Sequence, residues 1–337
     1  MSILNIYKIN IIYCKKLTKI VFIVQLNLTY IDTLIYNLPN YSSKGTVMAQ
    51  NITGYTNLLT LMAYPIRHSS SPAMHNEALS YLGLDYVYLC FEVDQNNLEA
   101  SINAMRTLKI RGGNISMPNK IAVIPYLDKI SSEARVCGAV NTIVNDDGVL
   151  TGYMTDGLGF IMSLRDRGID IRGKKITVVG SGGIGKTIQV QSAYEGAGEI
   201  SIFNVRDKYW SRACETAWEI ADETGCKVTL HDLANLDALK KEIHDSYLLV
   251  NATSVGMHPL ENQTYIPDPG YFRPGMYVTD VVYEPRETLF LKMAREAGCD
   301  AANGLSIMLF QGAAAFKLWM GQDMPIEHMK KFLGIGK

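Results

Sequence analysis

The sequence predicts an α/β protein built as two domains. Three observations carry this. Strands alternate with helices from residue 58 onward, a second run of the same kind starts near residue 155, and a glycine turn, VVGSGGIGK (178–186), falls between a strand and a helix in that second run. A chain of 337 residues is long enough for two cores of ordinary size.

The first 47 residues stand apart. They are rich in Ile, Asn, Tyr, Lys and Leu, and hold no glycine before Gly45. The apolar patch IVFIV (20–24) is too short for the centre of an export signal, and no small-residue cleavage site follows it. Met48 opens MAQNITGYTNLL in the manner of an ordinary start. Residues 1–47 are therefore expected to be a misassigned upstream extension outside the fold, with a genuine, weakly structured arm as the alternative.

Beyond that segment the elements follow in order. LLTLMAYPI (58–66) is apolar and closes on a proline, as a buried strand does. SPAMHNEALSYLG (71–83) starts a helix, with Pro72 in the first turn and Ser71 as its cap. DYVYLCFEV (85–93) is rich in strand formers, and NLEASINAMRTL (97–108) spaces its apolar residues as a helix does. AVNTIVNDDGVLTGYM (139–154) reads as two strands around an Asp-Gly turn. The first unit is expected to hold a mostly parallel sheet. In the second, KKITVVG (174–180), EISIFNV (199–205), KVTLHDL (227–233), SYLLVNATS (246–254) and MYVTDVVY (276–283) are strands. YWSRACETAWEIADETG (209–225) is an intervening helix. SIMLFQGAAAFKLWMG (306–321) is expected as an amphipathic helix that crosses back over the first domain.

Composition removes several classes of function. A net charge of −1 gives no basic footprint for nucleic acid. No apolar run reaches the length of a membrane span. The six cysteines, Cys14, Cys90, Cys137, Cys214, Cys226 and Cys299, are scattered singly with no C-x-x-C pair. That pattern points to reduced thiols and a cytoplasmic location. Cys137 reads as packing rather than as a nucleophile. No His, Cys and carboxylate cluster has metal-ligand spacing, so no metal is expected.

The glycine turn supplies Gly180, Gly182 and Gly185, a G-x-G-x-x-G set. Its glycines allow a tight turn and close approach of a pyrophosphate, and the helix start behind it offers free N–H groups. A plain strand–helix turn is the competing reading. The following strand ends FNVRD, with Asn204 at its tip and Asp207 three residues on. A carboxylate there accepts from a ribose 2′-hydroxyl and repels a 2′-phosphate; Asp207 is equally suited to capping the next helix.

Four polar groups sit at loop ends of the first unit: Lys120 in GGNISMPNK (112–120), Asp156 in TGYMTDGLGF (151–160), Asn141 in GAVNT (138–142), and Ser69, Ser70 and Ser71 in RHSSSP (67–72). A lysine exchanges protons usefully when a neighbour positions it, and serines at a helix start suit a carboxylate. Each has an ordinary alternative. Lys120 fits a solvated charge, Asn141 a turn, Asp156 and the serines helix caps. Their joint occurrence where the chain passes from one unit to the next favours a cleft between two domains.

Taken together, PIRHSSSPAMHN, GGNISMPNK, GAVNT, MTDGLG, NATSVGM, DVVYEP, ANGL and LFQGAAAFKLW resemble the shikimate dehydrogenase family from about residue 55 to the end. SMPNK is similar to the quinate/shikimate dehydrogenase subgroup. The resemblance implies a substrate-binding α/β domain from residues 48–154 plus 305–337, and a Rossmann-type NAD(P)-binding domain, 155–304, inserted between them. It implies proton transfer by Lys120 with Asp156 as partner. Substrate contacts fall on Ser69 and Ser71 for a carboxylate, on Ser116, Asn141 and Gln311 for ring hydroxyls, and on Tyr283 and Tyr88 at the rim. Cofactor contacts fall on Gly180, Ser181, Gly182, Gly183 and Ile184, on Asn204, Val205, Arg206 and Asp207, and on Ser254, Val281 and Gly304. Met154, Ser306 and Ile307 depart from the family pattern, and Ser306 replaces a glycine. The implied activity interconverts 3-dehydroshikimate and shikimate, with quinate as a further substrate, in aromatic amino acid biosynthesis. NAD is the expected cofactor and NADP the second. The partner is a small molecule, with homodimerisation open. A catalytically silent nucleotide-binding regulator, or a dehydrogenase of another small acid, are the competing functions.

A chain starting at Met48 is expected to keep the full turnover and melting temperature. Loss of folding or activity on removing residues 1–47 would overturn the view that they lie outside the fold.

Overall fold

A computed structural model of the chain describes residues 52–335, and the expectation about residues 1–47 lies outside them. Two six-stranded sheets form the frame. The first contains β1 (Asn57–Ala63), β2 (Tyr86–Glu92), β3 (Gly112–Ile115), β4 (Lys129–Ile130), β5 (Thr142–Asp146) and β6 (Val149–Tyr153), in the order β2-β1-β3-β5-β6-β4. It is mixed: β1 pairs in parallel with β2 and β3, and β4 with β6, while β3–β5 and β5–β6 are antiparallel. The expected mostly parallel sheet is broken by the hairpin β5–β6. Asp147 and Gly148 both have positive φ, 51° and 93°, as a two-residue hairpin turn requires.

The second sheet contains β7 (Lys175–Val179), β8 (Glu199–Asn204), β9 (Lys227–Asp232), β10 (Leu248–Asn251), β11 (Tyr277–Asp280) and β12 (Asp300–Ala302). Its order, β12-β11-β10-β7-β8-β9, is parallel throughout and reverses direction between β7 and β10. Ligands of such sheets bind outside the carboxyl ends of the strands at that switch. The first sheet has its own switch at β1, flanked by β2 and β3.

The helices that place the site are α1 (Ser71–Tyr81), α2 (Leu98–Thr107), α3 (Asn119–Ala122), α4 (Ser132–Cys137), α5 (Asp156–Asp166), α6 (Gly183–Tyr194) and α7 (Trp210–Thr224). After these come α8 (Leu236–Asp245), α9 (Leu289–Glu296), α10 (Leu305–Met320) and α11 (Ile326–Leu333). The cap of α1 is Ser70 rather than Ser71, and no side chain caps it; Ser69 Oγ instead accepts the Ser71 N–H at 3.2 Å. Such one-residue slips at a helix start are ordinary, because the first turn has no internal acceptor to fix it. α10 returns to the first sheet: Leu309, Ala313, Phe316 and Trp319 pack with Leu59, Leu61 and Leu79. It is not amphipathic, because buried residues run along most of its circumference, as in a helix held inside the fold. Ser306 lies inside this right-handed helix, so the backbone freedom of a glycine is not needed there.

One core joins the two sheets through α5. Ile102 and Met105 of α2, Phe160 and Leu164 of α5, Ile188 of α6 and Val178 of β7 belong to the same buried cluster. Among the described residues no helix is long and apolar enough to cross a membrane, and no group of three or more His, Cys, Asp and Glu side chains could hold a metal ion.

His75 of α1 is fully buried among Tyr88, Phe316 and Trp319, stacked on Tyr88 at 4.5 Å, and neither ring nitrogen has a partner among the described residues. Burial drags its imidazole from 6.5 to about 3. Between those values the unfolded chain binds the extra proton, so the folded state loses stability as pH falls through the window, by about 1.4 kcal/mol per pH unit. Asp280, pushed up to about 6 by burial, has the opposite sign between pH 6 and 3.8. A His75→Leu variant isolates the first effect. Its unfolding free energy relative to the natural protein, measured in urea at pH 7, 6 and 5, is expected to improve progressively on acidification; a constant difference would refute the assignment.

Candidate active site

Lys120 is held by its backbone before its side chain is considered. β3 ends at Ile115, the chain turns through Ser116 to Pro118, and α3 carries Lys120 as its second residue. Asn119 is fully buried and donates through Nδ2 to Val93 O at 2.7 Å, while Lys120 O accepts the Val140 N–H at 2.8 Å. The two glycines ahead of them are required for packing. A Cβ on Gly112 would lie 2.7 Å from Trp319 Nε1, and one on Gly113 would collide with Thr60.

From there the lysine reaches across to Asp156. Lys120 Nζ lies 2.7 Å from Asp156 Oδ2, and both side chains keep limited access to solvent, 26 % and 15 %. Asp156 is the first residue of α5, where a carboxylate is favoured by the helix dipole. Its other oxygen accepts from Asn141 Nδ2 at 2.6 Å. The orientation of that amide follows from chemistry, since the Thr155 backbone N–H can only donate and lies 2.8 Å from Asn141 Oδ1. The alternatives open for Lys120, Asn141 and Asp156 thus resolve into one ion-paired, hydrogen-bonded cluster.

The cluster opens on a cavity of about 910 Å³ between the carboxyl ends of the two sheets. Ser69, Ser71, Ser116, Lys120, Asn141, Asp156 and Gln311 border its first-sheet side. Ser181, Gly182, Gly183, Ile184, Asn204, Asp207, Val281, Tyr283 and Gly304 border the other. Gly180, with φ 103°, turns the chain without facing the cavity; a Cβ there would meet Thr253 Cγ2 at 2.8 Å. Gly185 permits helix and strand to approach, its Cβ position lying against Gly180. At Gly182 and Gly183 a Cβ would meet nothing within 4 Å. That open space before the N-terminus of α6 fits a pyrophosphate. Asn204 Oδ1 accepts the Ser181 N–H at 3.0 Å and ties the tip of β8 to the turn.

Five expected contacts do not border the cavity. Gly180 shapes the turn as described. Tyr88 is fully buried, with its hydroxyl donating to Asn114 Oδ1 at 2.7 Å, and so lies behind the wall rather than at the rim. Val205 points its side chain outward and is 45 % exposed. Arg206 is drawn over the Trp210 ring, 5.3 Å from its centroid. Ser254 lies in the turn after β10, its carbonyl taken by the Met257 N–H. Asp207 both borders the cavity and accepts the Tyr209 N–H at 2.9 Å, so its local and its site roles coexist.

Other cavity residues escaped the sequence reading. Lys186 directly follows the glycine turn, and Arg212 lies on the first turn of α7; both border the glycine-turn side of the cavity. Burial lowers the Lys186 amine. Their signal was position alone, a cation one helical turn into each of two helices flanking the turn. Asn114, within GGNISMPNK, also borders the cavity. Cys137 also borders the cavity; its thiol is pushed up to about 12 by burial, in keeping with a packing role.

A dinucleotide turn at the switch of a parallel sheet, opposed across a cavity by a paired lysine and aspartate, defines an NAD(P)-dependent oxidoreductase of two-domain build. Residues 61–143 match the shikimate dehydrogenase substrate-binding domain, and 304–331 match the shikimate 5′-dehydrogenase C-terminal domain. A shikimate dehydrogenase (NADP(+)) of Listeria monocytogenes is 48% identical over 286 residues, covering 85% of this chain and 98% of its own. That of Streptococcus uberis is 50% identical over 289 residues, again 85% and 98%. The crystal structure of shikimate 5-dehydrogenase from Listeria monocytogenes, in complex with shikimate and NAD, superposes with a TM-score of 0.83 at 48% identity, covering 86% of this chain and 100% of that one. The chain belongs to the shikimate dehydrogenase family.

α5 is gripped from two sides: a Cβ on Gly157 would lie 2.8 Å from Gln191 Cβ of α6, and one on Gly159 would lie 2.7 Å from Gln311 Cα of α10. Gly159→Ala is expected to cost roughly 1–3 kcal/mol of stability through overpacking. Urea unfolding measures it, and an unchanged midpoint would show that the two helices can part freely.

Proposed function

We propose that this protein interconverts 3-dehydroshikimate and shikimate with a nicotinamide dinucleotide. The observation that carries the reading is the Lys120–Asp156 pair, 2.7 Å apart, placed on the wall of a cavity that the glycine turn closes from the other side. The relatives named above act in the same direction. Residues 48–154 and 305–337 make the substrate side in this reading, and 155–304 the dinucleotide side. The two separate sheets and the return of α10 to the first of them support that division.

The roles follow from the donors and acceptors present. Ser69 and Ser71, with the N-terminus of α1 between them, receive the substrate carboxylate. Ser116, Asn141 and Gln311 hold ring hydroxyls. Lys120 Nζ exchanges the proton of the hydroxyl that becomes the ketone, and Asp156 keeps that nitrogen in place. Ser181, Gly182, Gly183 and Ile184 would hold the pyrophosphate, and Val281 and Gly304 the nicotinamide end. When bound, the nicotinamide takes up or returns the hydride, and the protein's part is binding, orientation and the proton. A silent nucleotide-binding regulator would have no use for a lysine and an aspartate kept in register across two elements. SMPNK supports quinate as a second substrate, since it shares the carboxylate and vicinal hydroxyls.

NAD is the preferred cofactor in this reading, and NADP is accepted. Val205 offers no charge, Arg206 is occupied on Trp210, and the Asp207 carboxylate borders the place a 2′-phosphate would take. Lys186 and Arg212 are the cations that would admit NADP. The Listeria structure holds NAD, while the curated relatives are named for NADP(+).

Lys120→Ala is expected to lower kcat by about 10²–10⁴-fold with a smaller effect on substrate binding. Asp156→Asn should act in the same direction, and the two losses should not add, because they serve one proton transfer. A Lys120→Ala enzyme with near-normal kcat would end the assignment. For the cofactor, kcat/KM with NAD and with NADP at saturating shikimate decides. Val205→Arg combined with Asp207→Ser should swing the ratio toward NADP, and a natural protein that already prefers NADP would make Lys186 and Arg212 the phosphate ligands.

A further inference from the structure

We propose that Tyr88 and Thr142 are positioning residues of the reaction: a one-way chain of hydrogen bonds, starting at the Tyr88 hydroxyl deep in the core, fixes the amide of Asn141 and through it the carboxylate that holds Lys120. The inference rests on the proposed role of the Lys120–Asp156 pair.

Two fixed points set the direction of the chain. The Asn141 backbone carbonyl only accepts, and Asn114 Nδ2 lies 3.1 Å from it. The Thr155 backbone N–H only donates, and Asn141 Oδ1 lies 2.8 Å from it. Both side-chain amides are thereby oriented. Asn114 must turn its oxygen toward Tyr88, so the phenol must donate, at 2.7 Å. Asn114 Nδ2 also donates to Thr142 Oγ1 at 3.0 Å. That hydroxyl has its own hydrogen left, and its nearest acceptor is Asn141 Oδ1 at 3.0 Å. Asn141 Nδ2 then donates to Asp156 Oδ1 at 2.6 Å, and Lys120 Nζ to Asp156 Oδ2 at 2.7 Å. Along the path from Tyr88 to Asp156 each bond is donated toward the carboxylate, while the second Asn141 Nδ2 hydrogen goes to Thr155 Oγ1 at 3.0 Å and the Thr142 and Thr155 hydroxyls lie 3.2 Å apart; bonds aligned along such a path polarise one another in a medium of low dielectric.

The strand register builds the chain. Asn114 of β3 pairs with Thr142 of β5, and Thr142 pairs with Tyr153 of β6, two residues before Thr155. Tyr88 enters from β2, which is separated from β3 by β1. Its phenol has no route to solvent, with the His75 ring of α1 at 4.5 Å and the Trp319 ring of α10 at 6.0 Å. Burial holds that phenol well above its usual range, which keeps it a donor. The titratable groups around it are His75, neutral by burial, and Cys90 of the same strand. A tyrosine that served packing alone could be phenylalanine; here its one polar atom is spent on a residue that borders the cavity.

The test is a double-mutant cycle on the full chain, reading kcat and KM for shikimate in the natural protein, Tyr88→Phe, Asn141→Ala and the double variant. Tyr88→Phe is expected to lower kcat roughly 3- to 10-fold, the effect of losing about one hydrogen bond, with KM within about twofold. In the Asn141→Ala background the same change should lower kcat less than about 1.5-fold, because the group it acts through is gone. An equal factor in both backgrounds would show a structural effect and overturn the proposal, as would no effect in either. If Tyr88→Phe does not fold, Thr142→Val is read in the same cycle with the same expectations. An active Lys120→Ala enzyme would sink the underlying reading of the pair, whereas an inactive one beside a fully active Tyr88→Phe would sink only this chain.

Discussion

The arrangement depends most on the close packing of α5. This helix starts at the residue that anchors the lysine and runs directly between α6 and α10. Gly157 faces Thr187 and Gln191 of α6, while Gly159 faces Gln311 of α10. Neither contact leaves room for a methyl group, so the helix axes are set by backbone against backbone or backbone against the base of a side chain. Three things are fixed at once. Asp156 is held at the helix start, Gln311 is brought to the cavity wall, and the glycine turn at the start of α6 is held at a set distance from both. A cavity between two sheets is useful for chemistry only if its two walls keep their spacing, and here one helix touches both.

A second constraint is where the strands end. Both sheets change direction at an inner strand, β1 in one and β7 with β10 in the other, and both present carboxyl ends to the cavity. The antiparallel hairpin β5–β6 breaks the parallel order, yet it serves the same end. Because β5 runs against β3, Asn141 at its beginning meets the end of β3, and the end of β6 delivers Thr155 and Asp156 to the same place. A β5 running parallel to β3 would have carried Asn141 to the far edge. Asn251 and Thr288, which both donate to the buried Asp280, steady the loop after β11 that carries Val281 and Tyr283 to the opposite wall.

Much of this was legible in the sequence, for identifiable reasons. The Asp-Gly turn, the glycine set and the strand–helix alternation are local, and local chemistry dictates them. The residues at loop ends were legible because Lys, Asp and Asn have few reasons to cluster beside glycines. Tyr88 was not. In an edge strand with alternating exposure, the side that faces the core depends on what α1 and α10 lay over it, and its neighbours Leu89 and Phe91 are the exposed ones. Arg206 was misplaced for a similar reason, since an aromatic four residues later captured it. Lys186 and Arg212 were invisible because they border the cavity only once α6 and α7 lie side by side. α10 looked amphipathic because its few polar residues are spaced through it, but it is surrounded by α1, α5 and the first sheet.

On the glycine-turn side of the cavity, charges of both signs lie close together. The sequence near a ribose is usually read at the tip of the second strand, and here that tip offers Asn204, a bare Val205, a diverted Arg206 and an acid. Yet the cavity continues past it to Lys186 and Arg212. Lys186 is shielded and, among the described residues, has only the distant Glu219, at 3.9 Å, as an ionic partner. A shielded cation with so weak a partner is costly unless something anionic completes it, and the lowered Lys186 amine is the mark of that cost. Asp207 pulls in the other direction, because its charge opposes any phosphate brought near it. Under the proposed function, cofactor preference is a balance between an acid at the strand tip and two cations deeper in the cleft, and it turns on which of them the adenosine ribose would lie against rather than on the identity of any one residue.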